Sequence, residues 1–431
     1  MKQKILFSID DFLDLKPLHN FRLLFDNLNQ FQITHYKPTG RKPILREAML
    51  KALVFKNLKS IPNLTELYRN LIDNPSAALC CGFDIHDSIP SIERFSSFLN
   101  DTPNKQFAHI RNQLVRELIK LNAISGKYLS IDSCPILANV KENNLKTNVK
   151  NRFDKAKFPK GDPEARLGVI ITFPKGFKNI EYFWGYRNHT IIDATSELPL
   201  WEITKPANVQ DSTMFIPLFD LLQHEFHFKL EAVMGDGIYD TAAILNYIIN
   251  ILKAKPRIAI NPRNTKYGDI EQEIKYTKTG NRICDANLEM VSRGTFYDKK
   301  QNRWRHKWVC PLHHSKKYHY QYIVCPVYHP KFFSQKGCYA YKRVDDDIRK
   351  QIDYGSESFK KDAKLRSGSE RVFSRLLSIC MQQPSVVGLK ATANHCTIAH
   401  ITVLLVALTA VKNYVNDQLR FIKSFLPNFR P

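Results

Sequence analysis

The sequence predicts an α/β protein built on a mixed sheet with flanking helices, with a helical region before it and a β-rich insertion inside it. Three observations carry that reading. Two short apolar segments, Leu129-Ser-Ile and Ala232-Val-Met, each run into a carboxylate, Asp132 and Asp236. Around them, apolar runs of strand length alternate with stretches of helical periodicity. That rhythm breaks over 264–352, where the chain turns aromatic, basic and rich in Cys and His.

Residues 1–40 carry no clear pattern. From Arg41 to Asp101 apolar residues recur at spacings of three and four, as in Leu45-Arg-Glu-Ala-Met-Leu-Lys-Ala-Leu-Val. Asn63 supplies a side-chain oxygen for the N-cap of a second helix, and Ser91-Ile-Glu-Arg-Phe-Ser-Ser-Phe-Leu is a further one. Short helices with tight connections resemble a helix-turn-helix unit; a plain helical bundle without DNA contact has the same pattern. A helix over 107–122 leads to Gly126, and Lys127-Tyr-Leu-Ser-Ile-Asp132 is a short buried strand ending on its carboxylate. The polar, basic stretch 140–168 reads as a long loop.

Strands at 186–193 and 198–204 flank the turn Thr195-Ser-Glu197, and a helix covers 212–225. Residues 230–236 are the second strand ending on a carboxylate. Asp240 or Thr241 caps a helix to about Leu252, and Arg257-Ile-Ala-Ile-Asn-Pro is a fifth strand. In the insertion, Trp308-Val-Cys and Tyr322-Ile-Val-Cys look like strand interiors. A helix over 358–380 carries Glu370, and an apolar helix follows over 397–415. The order strand, strand, strand, helix, strand, helix, strand, insertion, helix is that of an RNase H-like mixed sheet. It divides the chain into a helical region at 1–105, a core of 106–263 with 353–425, and an insertion at 264–352.

The chain has 64 Lys and Arg against 41 Asp and Glu, a formal net charge of +23. That balance points to a polyanionic partner, because Lys and Arg displace the counterions condensed on phosphates. A basic protein of another kind, or one on acidic membranes, is the competing reading. Basic clusters at 146–160, 299–307 and 360–375 lie in separate parts of the chain, which favours nucleic acid. The start, MKQKILFSIDDF, has acidic residues where a signal peptide needs its apolar stretch. The longest apolar run, Ile401 to Val411, is too short for a bilayer and reads as a buried helix. Nine cysteines, an odd count, argue for a reducing, cytoplasmic setting without a disulfide framework or a membrane partner.

Phosphoryl transfer on DNA needs an activated nucleophile and a stabilised leaving oxygen, which two divalent cations supply together. Hard cations such as Mg²⁺ take a few carboxylate oxygens on a rigid mount. Asp132 and Asp236 fit, each after an apolar strand and each beside a small neighbour, Ser133 and Gly237. A carboxylate there is costly to bury without a counterion. As lone residues, the two aspartates read equally as caps of the following turns. Glu370 lies on the flank of an apolar stripe of Leu365, Val372, Leu376 and Ile379, one turn after Arg366. Its pattern alone is that of an ordinary ion pair and does not separate it from Glu357.

Taken together, several blocks resemble the DDE transposases of bacterial insertion sequences, in the Tn5-like group. They are Arg41-Lys-Pro and Ile89-Pro-Ser-Ile-Glu-Arg-Phe; Ile131-Asp132-Ser133 and Val140-Lys-Glu-Asn-Asn; Trp184-Gly-Tyr-Arg-Asn-His189 and Pro206-Ala-Asn-Val-Gln-Asp-Ser212; Gly235-Asp236-Gly-Ile-Tyr239-Asp240; and Arg366-Ser-Gly-Ser-Glu370 with Asn394-His-Cys-Thr-Ile-Ala-His-Ile. The resemblance spans about 40–412. It implies an RNase H-like core, a DNA-binding N-terminal region, and Asp132, Asp236 and Glu370 as catalytic ligands of two Mg²⁺ or Mn²⁺ ions. It selects Glu370 over Glu357, because the family motif has an arginine four residues before its glutamate. It further implies double-stranded DNA as partner (transposon terminal inverted repeats and target), a homodimer on paired ends, and a bacterial, nucleoid-associated setting.

Arg366, Lys146, Lys150, Arg152 and Arg187 are the candidate phosphate contacts. His189 and Tyr239, next to the core, either orient DNA or pack. Two positions depart from the motif: Ala363 stands for the family's tyrosine and Leu377 for its lysine. Both side chains are associated with gripping the transposon end, so hairpin formation stays open. A non-catalytic DNA-binding derivative and a structure-specific nuclease of the same fold are the rival readings.

In the insertion, Cys310-Pro-Leu-His313 has the spacing of half a zinc site, which Cys325 and Cys338 could complete. Free cysteines inside strands are the alternative.

Overall fold

The computed structural model describes residues 18–29, 45–84, 88–172, 177–261, 277, 281–301, 303–344 and 348–422. Arg41-Lys-Pro lies outside them. The chain folds into two compact units, residues 1–259 with 354–431, and residues 260–353.

The first unit opens with helices α1 (Leu18–Asn29), α2 (Arg46–Leu58), α3 (Leu64–Asp73), α4 (Pro75–Cys81), α5 (Ile92–Asp101) and α6 (Asn104–Lys120). Asn63 caps α3, accepting from the Glu66 N–H at 2.8 Å. The sheet follows: β1 (Tyr128–Leu137), β2 (Arg166–Thr172), β3 (Asn179–Asp193), β4 (Leu198–Pro206), β5 (Ala232–Gly235) and β6 (Lys255–Ile258). Helix α7 (Asp211–Phe226) joins β4 to β5. Thr241 caps α8 (Ala242–Asn246), which continues as a π-turn over Tyr247–Ile251. The strand order is β2-β3-β1-β5-β6, with β4 also on β3. The long β3 makes this possible: its first half pairs with β2 and its second half with β4. β1 is antiparallel to β3 and parallel to β5, and β6 is parallel to β5. The sheet is therefore mixed.

Two elements differ from the sequence reading here. The strand at Asp132 does not end on its carboxylate; it runs on to Leu137, held there by β3 alone, because β5 pairs only with Tyr128, Leu129 and Ser130. The stretch 140–168, expected as loop throughout, gives way to β2 at Arg166. β2 lies at the sheet edge, where an isolated strand lacks a long buried run.

After the insertion, α11 (Glu357–Lys364) and α12 (Ser367–Ser378) replace the single helix expected over 358–380. The break at Leu365-Arg366 is a tightening to i→i−3 hydrogen bonds: the Leu365, Arg366, Gly368 and Ser369 amides all bond three residues back. The final helix α13 (Leu389–Lys412) starts a full two turns before the expected position. It is long and apolar enough to cross a membrane, yet 94% of its apolar window is buried in the protein. It packs against α1, α2, α5, α6 and β4, so the N-terminal helices and the sheet share it as one core.

The Asn394–His400 motif turns out to build that core. Asn394 donates to the Leu99 and Thr102 carbonyls at 2.7 and 2.9 Å, tying α13 to the end of α5. Glu202 on β4 is buried and takes Arg111 at 3.1 Å, Asn188 at 2.8 Å and Thr397 at 2.7 Å. His400 completes the network 3.0 Å from the Asn188 oxygen. A buried charge tolerates such a position only when every lone pair is met.

The second unit carries an antiparallel sheet of β7 (Val291–Asp298), β8 (Arg303–Val309) and β9 (Tyr339–Arg343), with short helices α9 (Pro311–His314) and α10 (Pro330–Ser334). Tyr322-Ile-Val-Cys is not a strand as expected: it lies in turns, and Ile323 is 94% exposed. Apolar character alone points to a strand there, but only Cys325 of the four is buried.

Candidate active site

Asp132 and Asp236 come together through strand register. Ser130 pairs with Met234 across the parallel β1–β5 ladder. Two residues further along both chains, Asp132 and Asp236 stand level, beyond the last paired residues. Side chains level on adjacent parallel strands share a face. Asp132 is half-buried, and its Oδ1 accepts the Ser133 N–H at 2.8 Å. Asp236 is more open and caps the short turn Gly237–Tyr239, its Oδ1 accepting from Ile238 N–H at 3.0 Å. Each carboxylate thus has one oxygen fixed by the backbone.

A third carboxylate joins them, one that the sequence reading quoted within a motif and passed over. Asp211 opens α7, and its Oδ1 lies 3.2 Å from His189 Nδ1 while its Oδ2 lies 3.4 Å from Arg187. In sequence it stands just before the helix expected over 212–225 and carries no role of its own. The overlooked signal was its place in the same block as Arg187 and His189.

The three carboxylates feel one another. Burial pushes the Asp132 carboxyl up to about 6, and the negative charges of Asp236 and Asp211 add to this, against the Ser133 amide and Arg366. Burial also raises Asp236, with Asp211 adding and the Ile238 amide and Arg366 opposing. For Asp211 burial acts upward too, but the bonds from His189, Arg187 and Ser133 outweigh it and hold the group low. Arg366 is the cation common to Asp132 and Asp236.

Glu370 stands apart from this cluster. It is 63% exposed and pairs with Arg366 at 3.1 Å. Its helix, α12, packs on β1, the strand of Asp132, whereas α11, with Glu357, packs on β5 and β6. Glu357 is 90% exposed and pairs with Lys360 at 2.9 Å.

The base of α12 is anchored by Glu197, in the β3–β4 turn with φ of 57°. This carboxylate is 6% exposed and takes Arg371 at 2.8 Å, Arg375 at 2.9 Å and Arg420 at 3.1 Å. Gly368 lets the helix start sit this close: a Cβ there would meet Glu197 Cγ at 3.3 Å and the Ala194 carbonyl at 3.4 Å.

The expected phosphate contacts divide. Lys146 and Lys150 are exposed in the loop after β1. The Arg152 guanidinium donates to the carbonyls of Glu142 at 2.8 Å, Asn144 at 2.7 Å and Thr147 at 2.5 Å, bracing that loop. Arg187 meets Ser133 at 3.1 Å, the Val169 carbonyl at 3.1 Å and Asp211. His189 and Tyr239 are buried beside the carboxylates.

The donor set suits hard divalent cations. The carboxylates are partly desolvated and raise each other's pKa, a cost that a cation beside them removes. Among the described residues no group of three or more His, Cys, Asp or Glu side chains is placed to hold a metal ion by itself. Mg²⁺ does not require one, since it keeps waters and uses one or two carboxylates plus substrate phosphates.

A mixed sheet that sets two aspartates level on adjacent strands, in a basic chain, suits metal-dependent chemistry on nucleic acid. The family is shown by comparison with known proteins. Residues 168–405 match the family described as Transposase DDE domain, and residues 2–101 match the one described as Transposase domain (DUF772). The chain belongs to the DDE-domain transposases. It is a DNA-binding enzyme of a family that depends on divalent metal. No curated protein matches it. Among solved structures, a piggyBac transposase synaptic complex with hairpin DNA is similar at 11% identity, covering 96% of this chain and 79% of that one with a TM-score of 0.40.

Proposed function

We propose that Asp132, Asp236 and Glu370 are the catalytic carboxylates, and that this transposase cuts its transposon ends and joins them to target DNA with two Mg²⁺ or Mn²⁺ ions. The observation that carries the reading is the level pair Asp132 and Asp236, each with one oxygen fixed by a backbone amide and both raised by burial, with neighbouring negative charge adding to it. When bound, the ions activate the attacking hydroxyl and stabilise the leaving oxygen. Asp132 and Asp236 hold them on the sheet. Asp211 is a positioning residue: kept ionised by His189 and Arg187, it deepens the negative field at the pair. Glu370, which pairs with Arg366 one turn away, would complete the ligand set, and Arg366 would meet a phosphate. Lys146 and Lys150 extend that contact along the DNA.

The N-terminal helices bind terminal inverted repeats, and two copies pair the ends. The setting is the bacterial cytoplasm, on the nucleoid. The domain division is that of the sequence: 1–105, the core of 106–263 with 353–425, and the insertion 264–352. The test is cleavage of the cognate transposon end with Mg²⁺, followed by joining of a supplied 3′-hydroxyl end. Cleavage and joining that both vanish in Asp236→Asn are expected; full activity in that variant removes the metal assignment. Cleavage without joining in the unaltered protein makes it a nuclease instead.

A further inference from the structure

We propose that the unit of residues 260–353 binds unpaired nucleotides of single-stranded DNA in a groove on one face of its sheet, where Tyr339 and Tyr341 stack on bases and Arg293, Lys307 and Lys336 meet phosphates. This stands on the unit alone, independently of the carboxylate site. The groove is a cavity of about 610 Å³ lined by these residues together with His314 and the turn at 335–338. Among the described residues no Asp or Glu lines it, so its charge complements a polyanion.

Strand register builds the face. Residues paired across strands point to one side, and alternate residues along each strand follow them. Lys307 pairs with Tyr341 and Val309 with Tyr339, so all of these share a face. Phe296 on β7 pairs with Arg305 on β8 and joins them. The rings meet in a row: the Tyr341 centroid lies 5.9 Å from that of Phe296 and 5.3 Å from that of Tyr339. Cations sit among them. Arg305 lies 4.2 Å and Lys307 5.9 Å from the Tyr341 centroid, and Lys331 lies 4.3 Å from that of Tyr339. Arg305 is paired with Asp298 at 2.7 Å and backs the ring. Tyr339 is still 42% exposed and Phe296 37%. In a duplex the base faces are covered by their neighbours. Unpaired bases offer them, and aromatic rings interleaved with cations match such a strand.

The other wall is fixed by the fold. Gly337, with φ of 81°, donates its N–H to the Lys331 carbonyl at 3.1 Å and the Gln335 carbonyl at 2.7 Å. A Cβ there would come 2.3 Å from the Cys310 Cβ, so only glycine lets the turn press onto that buried residue. Cys310 and Cys325 are buried with Leu288 and Leu312, and Cys284 and Cys338 pack against them. This cluster carries the wall, and it corrects the zinc set of Cys310, His313, Cys325 and Cys338 that spacing suggests. His313 turns its Nε2 to the Phe332 carbonyl at 3.1 Å, and among the described residues no group of three or more His, Cys, Asp or Glu is placed to hold a metal ion. Arg293 lies 3.2 Å from His314 Nδ1. A guanidinium only donates, so that nitrogen accepts and the ring is neutral. Burial and the charge of Arg293 hold His314 below the usual histidine range, which keeps this contact in place.

The experiment titrates the full chain with a fluorescent oligothymidine strand and with a duplex of equal length, across salt and without divalent metal. Tyr339→Leu and Tyr341→Leu should each weaken strand binding about tenfold and leave duplex binding unchanged. Tyr339→Phe and Tyr341→Phe, which keep the rings, should bind the strand as the unaltered protein does. Changing Arg293, Lys307 and Lys336 together to Ala should lower the salt slope for the strand by about 2. Ultraviolet crosslinks to the strand should map to Tyr339 or Tyr341. Asp236→Asn should bind the strand normally, so a failed carboxylate assignment leaves this result standing. Leu variants that bind the strand fully would overturn the proposal, as would equal losses for strand and duplex, or Phe variants as weak as the Leu ones. Thymidine monophosphate that displaces the strand at equal nucleotide concentration would overturn it too, by making the ligand a free nucleotide.

Discussion

Two side-chain clusters of this chain are built on opposite plans. The carboxylate cluster rests on long-range register: Asp132 and Asp236 are 104 residues apart and meet only because β1 and β5 pair in parallel. Its oxygens suit a hard cation that keeps its waters. The cysteine cluster rests on local turns at Cys284 and Cys325 and packs its sulfurs with Leu288 and Leu312. A site for cation and substrate has to leave room, whereas an apolar cluster has to close. The exposed, arginine-paired Glu370 and the buried Cys310 show that difference in single residues.

The comparison breaks most sharply at the aspartates. Asp132→Asn and Asp236→Asn should each lower cleavage by at least about 10³-fold with little change in fold, because amides lack the charge that holds the cations. Single-turnover cleavage of an end duplex in Mg²⁺ measures this. Glu370→Gln should fall similarly and Glu357→Gln should not. Equal loss in both glutamate variants would mean that the α11–α12 region acts through its fold and not through one ligand.

A second effect concerns the anchor of α12. Glu197→Ala leaves Arg371, Arg375 and Arg420 facing one another without their carboxylate. Removing one partner of a buried pair costs about 3–5 kcal/mol. Two of these arginines reach solvent, so about 2–3 kcal/mol is the expected loss in denaturant unfolding. Cleavage should drop further than stability alone explains, since α12 carries Glu370 and starts directly after Arg366. A Glu197→Ala protein that is less stable yet fully active per folded molecule would remove Glu370 from the mechanism.

The pH response follows from Asp132. Its carboxyl moves from 3.8 when unfolded to about 6 when folded. A raised folded pKa means stability that is present below 3.8 and lost as pH climbs through about 6, worth about 1–3 kcal/mol. Metal-free protein should therefore unfold more easily at pH 7 than at pH 5, and Asp132→Asn should flatten that slope. Added Mg²⁺ should stabilise above pH 6 and do little below it, because protonated Asp132 binds no cation. Thermal unfolding across this range, with and without Mg²⁺, reads both signs.

How much of this was legible in the sequence differs by region. The strand-borne aspartates were, because an apolar strand running into a carboxylate is a local pattern. The β-rich character of the insertion was also visible, from its aromatic and basic content. Asp211 was not, since only the fold brings the start of α7 beside β1 and β5. The charge of Arg152 and Arg187 is readable in sequence, whereas their carbonyl and carboxylate partners within the chain are not. Cys284 was not legible as a neighbour of Cys310 for the same reason: short spacing marks Cys310 and His313, while Cys284 joins the Cys310 cluster only through the fold. The Asn394–His400 motif was recognised as a pattern, but only its bonds to Leu99, Thr102 and Asn188 reveal a structural role.

The smallest effect tests the division among the basic residues. Lys146 and Lys150 are exposed, and each should contribute about one released counterion on binding DNA. The double change to Ala should reduce the salt slope of DNA affinity by about 2 while leaving unfolding unchanged. Arg152→Ala should do the reverse. Its guanidinium braces the loop through the Glu142, Asn144 and Thr147 carbonyls, so its loss should loosen residues 141–152 to proteolysis with little direct effect on the slope. If Arg152→Ala instead lowers the slope as much as a lysine does, the guanidinium must leave those carbonyls on binding. The loop would then reorganise around DNA, a plasticity that the sheet-mounted aspartates do not share.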